Sequence, residues 1–118
     1  CSVDEELLAK QAAELTQDYK INVVSKRVDA TEEREVEEFI AAAAEKLGKI
    51  DYLINLAGLS IPNVYNETPV DVYDRVMDVN VKGAFLMSKH FAANAAKTAL
   101  IINIGSKAAR VTYANAPI

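Results

Sequence analysis

One cysteine, one histidine, no tryptophan and four well-separated glycines are the scarce residues of this 118-residue sequence. A lone Cys1 excludes an internal disulfide and suits a reducing compartment, the cytoplasm being expected. One cysteine and one histidine supply no metal cluster, so no metal is expected. No apolar run approaches the ~20 residues that cross a bilayer, and no signal peptide is visible, so no membrane partner is expected. The 13 basic residues are spread singly among 17 acidic ones, for a net charge of −4. Without a basic stripe, nucleic acid is not an expected partner. The chain begins without methionine and in mid-pattern, which reads as a segment of something longer.

What is present is apolar and periodic. At 51% hydrophobic, the chain has enough for one globular domain. Ser2 and Glu5 stand at capping-box spacing, and Leu7, Leu8, Ala12 and Leu15 recur on one face, predicting a helix over 3–17. The β-branched run 21–28 predicts a strand. Asp29 to Glu33 reads as a turn into a helix whose apolar positions are Val36, Phe39, Ile40, Ala43, Ala44 and Leu47, with Gly48 as its stop. Residues 50–57 (IDYLINLA) predict a strand buried on both faces. After a loop, Thr68 as cap, Pro69 in the first turn and Asp71 at capping-box spacing open a long helix over 69–96. A third apolar strand over 98–104 ends at Gly105-Ser106.

Strands alternating with single helices imply parallel pairing through crossovers, hence an α/β layered sheet. Such sheets bind ligands beyond the carboxyl ends of their strands. Asp29, the turn 55–58 and Ser106 each sit there. Each also has an ordinary reading: an acid near a helix start, a plain strand exit at Gly58, a hydroxyl capping the next turn. Asn80 is harder to dismiss, since it falls inside the apolar stripe of the long helix, near Val76, Met77 and Ala84. A buried amide must find partners. It either ties the helix to a neighbouring loop or sits where the helix is locally opened.

Together these residues carry a resemblance. Asn55-Leu56-Ala57-Gly58 resembles the Asn-Asn-Ala-Gly motif of the short-chain dehydrogenase/reductase family, with Leu56 as a departure. Asp29-Ala30-Thr31 falls where that family has Asp-x-Thr. Asp78 to Gly83 (DVNVKG) resembles its helix motif with the catalytic asparagine, and 101–106 resembles the strand that brings the catalytic serine. Within the family, the chain resembles reductases of 3-oxoacyl carrier proteins and polyol dehydrogenases.

The resemblance implies a Rossmann-type, doubly wound parallel sheet, present here in part as three strands alternating with helices. Residues 1–118 would be a single NAD(P)-binding domain segment lacking the glycine-rich loop before Cys1 and the tyrosine and lysine after Ile118. In the family the tyrosine follows the serine by about a dozen residues; Tyr113, with Pro117 four beyond it, would be a loop residue near the substrate. Asp29 would bind the adenine with Ala30 beside it. Asn55, Ala57 and Gly58 would line the ribose and steady the sheet. Asn80 would hold a relay water, and Ser106 would orient the substrate carbonyl. The activity implied is NAD(P)-dependent interconversion of a small carbonyl and its alcohol; the alternative is a member that binds nucleotide or a partner without turnover. The absence of an acid at Cys1 or Ser2 favours NADP over NAD. A homo-oligomer, most often a tetramer, is the expected assembly, with Phe85 and His90 off the main stripe.

Overall fold

A computed structural model of the chain describes residues 1–62, 64–107 and 110. Its elements are α1 (Glu5–Tyr19), α2 (Glu33–Leu47), β1 (Ile50–Asn55), a 3₁₀ turn (Tyr65–Glu67), α3 (Val70–Met77), a π turn (Asp78–Lys82), α4 (Gly83–Asn94) and β2 (Ala95–Asn103).

Helix α1 is capped by Asp4 and not by Ser2. The Asp4 carboxylate accepts the Leu7 N–H at 2.9 Å, whereas the Ser2 hydroxyl accepts the Asp4 N–H at 3.2 Å. An acid was nearer the first turn, where its charge also meets the helix dipole. Helix α2 ends at Gly48, whose φ of 87° is open to glycine, and its N–H donates to Ala44 O at 2.9 Å.

The segment 21–28 forms no strand. Arg27 makes one parallel bridge to Ser2, and the Val28 N–H donates to Ser2 O at 2.9 Å. A ladder needs a partner strand along its length, and among the described residues only the backbone at Ser2 pairs with it. Its apolar pattern still has an effect, because Val28 is 3% exposed and joins the core.

Strands β1 and β2 pair in parallel, with Leu53 opposite Ile101, Ile54 opposite Ile102 and Asn55 opposite Asn103. Helices α2 and α4 pack on each other and on β1. Val28, Val36, Ile40 and Leu86 form the core, flanked by Phe39, Ile50 and Met87. Both helices therefore occupy adjacent slots on the face that carries Leu53. Lys89 and His90 of α4 clamp one oxygen of Glu33 at 2.6 and 3.2 Å, and these contacts, Lys89 first, hold the Glu33 carboxyl below its usual range.

Strand β1 is buried on one face and not on both: Tyr52 and Ile54 are 66% and 60% exposed. A parallel strand is buried twice only where helices cover both faces of its sheet. Helix α1, the remaining candidate cover, buries none of its residues.

The long helix begins at Val70 with Pro69 as its N-cap, because the Thr68 hydroxyl is used locally, donating to Val64 O at 3.0 Å. It runs as α3, the π turn and α4, and Asn94 passes straight into β2. Among the described residues, no helix is long and apolar enough to cross a membrane.

Candidate functional site

Two corners of the structure lie beyond the carboxyl ends of the extended segments, and a third is a turn of the long helix that reaches the loop after Gly58. The first follows Val28. Asp29 Oδ1 accepts both the N–H and the hydroxyl of Thr31, at 2.9 and 2.8 Å. Asp29 O accepts the Glu32 N–H at 3.0 Å, and its own N–H donates to Glu35 Oε2 at 2.8 Å. Ala30 lies against the helix at Gly83, where an added Cβ would come 3.3 Å from Ala30 Cβ. Glycine is what lets this loop touch the helix.

The second corner is the end of the sheet. Asn55 Nδ2 donates to Asn103 Oδ1 at 2.8 Å and to Ser88 Oγ at 3.3 Å, while the Ser88 hydroxyl donates to Ala84 O at 2.7 Å. The Ile104 N–H adds a bond to Asn55 O at 3.0 Å. Asn55 is thus a tie among β1, β2 and α4. Ala57 and Gly58 follow it on an exposed turn.

The third corner is the π turn. The Gly83 N–H reaches back five residues to Asp78 O, so the turn is widened where the amide in the stripe called for it. Asn80 itself, however, is exposed rather than buried. Met77 and Tyr73, one and two turns earlier, are likewise 36% and 47% exposed, so this side of the helix faces outward. The amide then clamps the loop: Oδ1 accepts the Leu59 N–H at 2.7 Å, and Nδ2 donates to Leu59 O at 2.8 Å. A Cβ on Gly58 would lie 3.6 Å from the same Oδ1.

Among the expected residues, Gly58 and Asn80 therefore meet. Ser106 stands exposed three residues past β2, on a strand end tied to Asn55. Asp29 and Ala30 form their own corner, joined to the helix at Gly83. Tyr113 lies outside the described residues. Asn103, Ser88 and Glu35 were not anticipated. An asparagine closing each of two apolar strands was a signal for the first; nothing local marks the other two.

Hydrogen bonds from Thr31, backbone first and then side chain, hold the Asp29 carboxyl below the ordinary carboxylate range against the opposing effect of burial. A depressed value favours the folded state above that range, and the contribution is lost as pH falls through the Asp29 value. Thr31→Val should raise the Asp29 pKa in an NMR titration without fully restoring it, since the backbone donor remains. The stability difference between the two proteins should shrink with falling pH. A carboxyl titrating alike in both would exclude the hydroxyl as a cause.

The sequence matches the short chain dehydrogenase family over residues 1–118. It is 38% identical over 102 residues to the 2-(R)-hydroxypropyl-CoM dehydrogenase of Xanthobacter autotrophicus, covering 80% of this chain and 40% of that protein. The fold is similar, at a TM-score of 0.89 and 25% identity, to an alcohol dehydrogenase of the archaeon Thermococcus sibiricus complexed with 5-hydroxy-NADP, covering 97% of this chain and 49% of that one. It is also similar to an NAD⁺-bound xylitol dehydrogenase, at a TM-score of 0.87 and 27% identity, covering 97% of this chain and 45% of that one. These likenesses make the parallel sheet and its helices part of a Rossmann-type α/β fold. The chain spans less than half the length of each of these relatives.

Proposed function

The chain belongs to the short-chain dehydrogenase family, and from that premise we propose that the complete protein is an NAD(P)-dependent oxidoreductase interconverting a small carbonyl compound and its alcohol. The observation that carries this reading is the Asn80 clamp on Leu59, which joins a widened helix turn to the turn at Gly58 beside the sheet end.

The residues present fit the adenosine half of a nicotinamide dinucleotide. Asp29 is fixed through its backbone and Oδ1, and a carboxylate retains further acceptor sites for a donor such as the adenine amino group. Ala57 and Gly58 offer exposed backbone with little side chain in the way. Asp29 and Ala30 would hold the adenine, and the turn after Asn55, with Ala57 and Gly58, the ribose. Asn55 itself acts by holding that turn to the sheet, since its amide nitrogen serves Asn103 and Ser88. When bound, the nicotinamide supplies or accepts the hydride. Ser106 would donate to the carbonyl oxygen as charge develops there, and Asn80 would position a water for proton transfer. NADP is favoured over NAD because neither Cys1 nor Ser2 brings an acid for a 2′-hydroxyl. A cytoplasmic location goes with the exposed free thiol of Cys1.

The test is the change in reduced-nicotinamide absorbance with the complete protein: a loss with NADPH or NADH against ketones, 3-oxoacyl thioesters and sugars, and a gain with NADP⁺ or NAD⁺ against polyols. Turnover with any member supports the oxidoreductase. Cofactor binding without turnover of any of them supports the non-catalytic alternative.

A homo-oligomer belongs to the same proposal, with a tetramer as the expected form. Val70, Tyr73, Met77, Val81 and Phe85 stand 73%, 47%, 36%, 54% and 63% exposed along the long helix. An apolar stripe of that length suits a symmetry mate. His90, expected beside Phe85, turns instead onto Glu33. Phe85→Asp should lower the mass seen by light scattering; an unchanged assembly removes this stripe from the interface.

A further inference from the structure

Helix α2 starts without a side-chain cap at Glu32. Three residues later stands Glu35, the position from which a carboxylate commonly reaches back to the N-cap N–H. Here it reaches further. Glu35 Oε2 accepts the Asp29 N–H at 2.8 Å, and the same oxygen lies 3.6 Å from Arg27 Nη1. One half-buried carboxylate thus anchors the chain on both sides of Val28.

The core stiffens this anchor. Val36, the residue next to Glu35, is 0% exposed, so the backbone that carries Glu35 is held in place by packing. Two bonds join the Asp29 loop to α2: the Glu32 N–H to Asp29 O, and the Asp29 N–H to Glu35. The first is backbone to backbone. The second is made by a side chain and is a hydrogen bond to a charged group, the stronger kind. The Thr31 bonds to Oδ1 shape the loop internally but do not attach it to the helix. From the other side, Ala30 rests on Gly83, so the loop is braced between α2 and the long helix.

We infer that Glu35 is a positioning residue for the adenine side of the cofactor pocket, setting where the Asp29 carboxylate stands by holding the Asp29 N–H. The inference rests on the proposed assignment of Asp29 to adenine. It predicts a division between the two halves of the cofactor. Glu35→Ala should weaken the adenine half, while Glu35→Gln, which keeps an acceptor for the Asp29 N–H, should restore most of it.

The experiment is calorimetric titration of the complete protein with adenosine monophosphate and, separately, with nicotinamide mononucleotide. The variants are Glu35→Ala, Glu35→Gln and Asp29→Ala, with melting temperatures recorded for each. Glu35→Ala is expected to weaken adenosine monophosphate binding by about tenfold, the scale of one hydrogen bond to a charged group. Nicotinamide mononucleotide should be unchanged, and Glu35→Gln should lie within about threefold of the native protein. Unchanged adenosine monophosphate binding in Glu35→Ala, with a loss in Asp29→Ala, overturns the role of Glu35 and leaves the pocket assignment standing. Equal losses for both ligands with a lowered melting temperature make Glu35 a structural cap and overturn the inference. No loss in Asp29→Ala removes the pocket assignment itself, and the inference with it.

Discussion

If the complete protein is the proposed oxidoreductase, Ser106→Ala is expected to lower kcat by on the order of 10²-fold or more, with cofactor affinity little changed. A hydroxyl held in advance at the oxygen where charge develops acts in the transition state far more than in the ground state, and losing one such donor has effects of this size. The structure anchors the strand end that precedes this hydroxyl. Ser106 follows β2 by three residues, and that strand end is tied to β1 by the Asn55–Asn103 amide pair and by the Ile104 N–H on Asn55 O. Ser106 is exposed, so the alanine variant should fold normally and the loss should appear in kcat rather than in yield. Steady-state kinetics beside a cofactor titration is the measurement. Turnover at the native rate would take Ser106 out of the site.

The second large effect is expected at Asn80. Leucine there removes both bonds to the Leu59 backbone. Because the site is exposed, the stability cost should stay at about 1–2 kcal/mol, the scale of two ordinary hydrogen bonds. Activity should fall by on the order of 10²-fold, because the turn after Gly58 is then unpinned and small misplacements near reacting groups are costly. Asn80→Asp separates the two halves of the clamp. It keeps an acceptor for the Leu59 N–H but sets a second oxygen against Leu59 O. Its activity should therefore also drop. If Asn80→Leu mainly unfolds the protein and the folded remainder turns over normally, the amide is a structural tie with no part in the reaction.

Asn80 also shows how far residue patterns reach. Its place in the apolar stripe correctly signalled that a regular helix could not simply continue, and the π turn lies there. The same pattern misjudged its burial, because apolar spacing does not say which side of a helix the rest of the fold covers, and Tyr73 and Met77 are exposed as well. Ser2 and Thr68 failed as caps because the Asp4 carboxylate takes the first turn of α1 and the Thr68 hydroxyl donates back to Val64 O. Glu35 and Ser88 gave no warning at all, since their partners come from a loop upstream and from a strand 33 residues away.

The sequence alone determined where the helices lie, the stop at Gly48 and the α/β class, because a helix satisfies its backbone within its own segment and shows its apolar stripe in its own spacing. It also placed the turn after Asn55 and Ser106 past strand ends, whereas Asp29 follows a segment without a ladder. The tertiary structure decided the rest: that 21–28 has one bridge and no ladder, that β1 is covered on one face, that Asn55 serves β2 and α4, and that Asn80 faces Leu59. Strand pairing, face coverage and side-chain clamps each require a second segment to supply the partner. No local pattern names that segment; only folding brings it within hydrogen-bond reach.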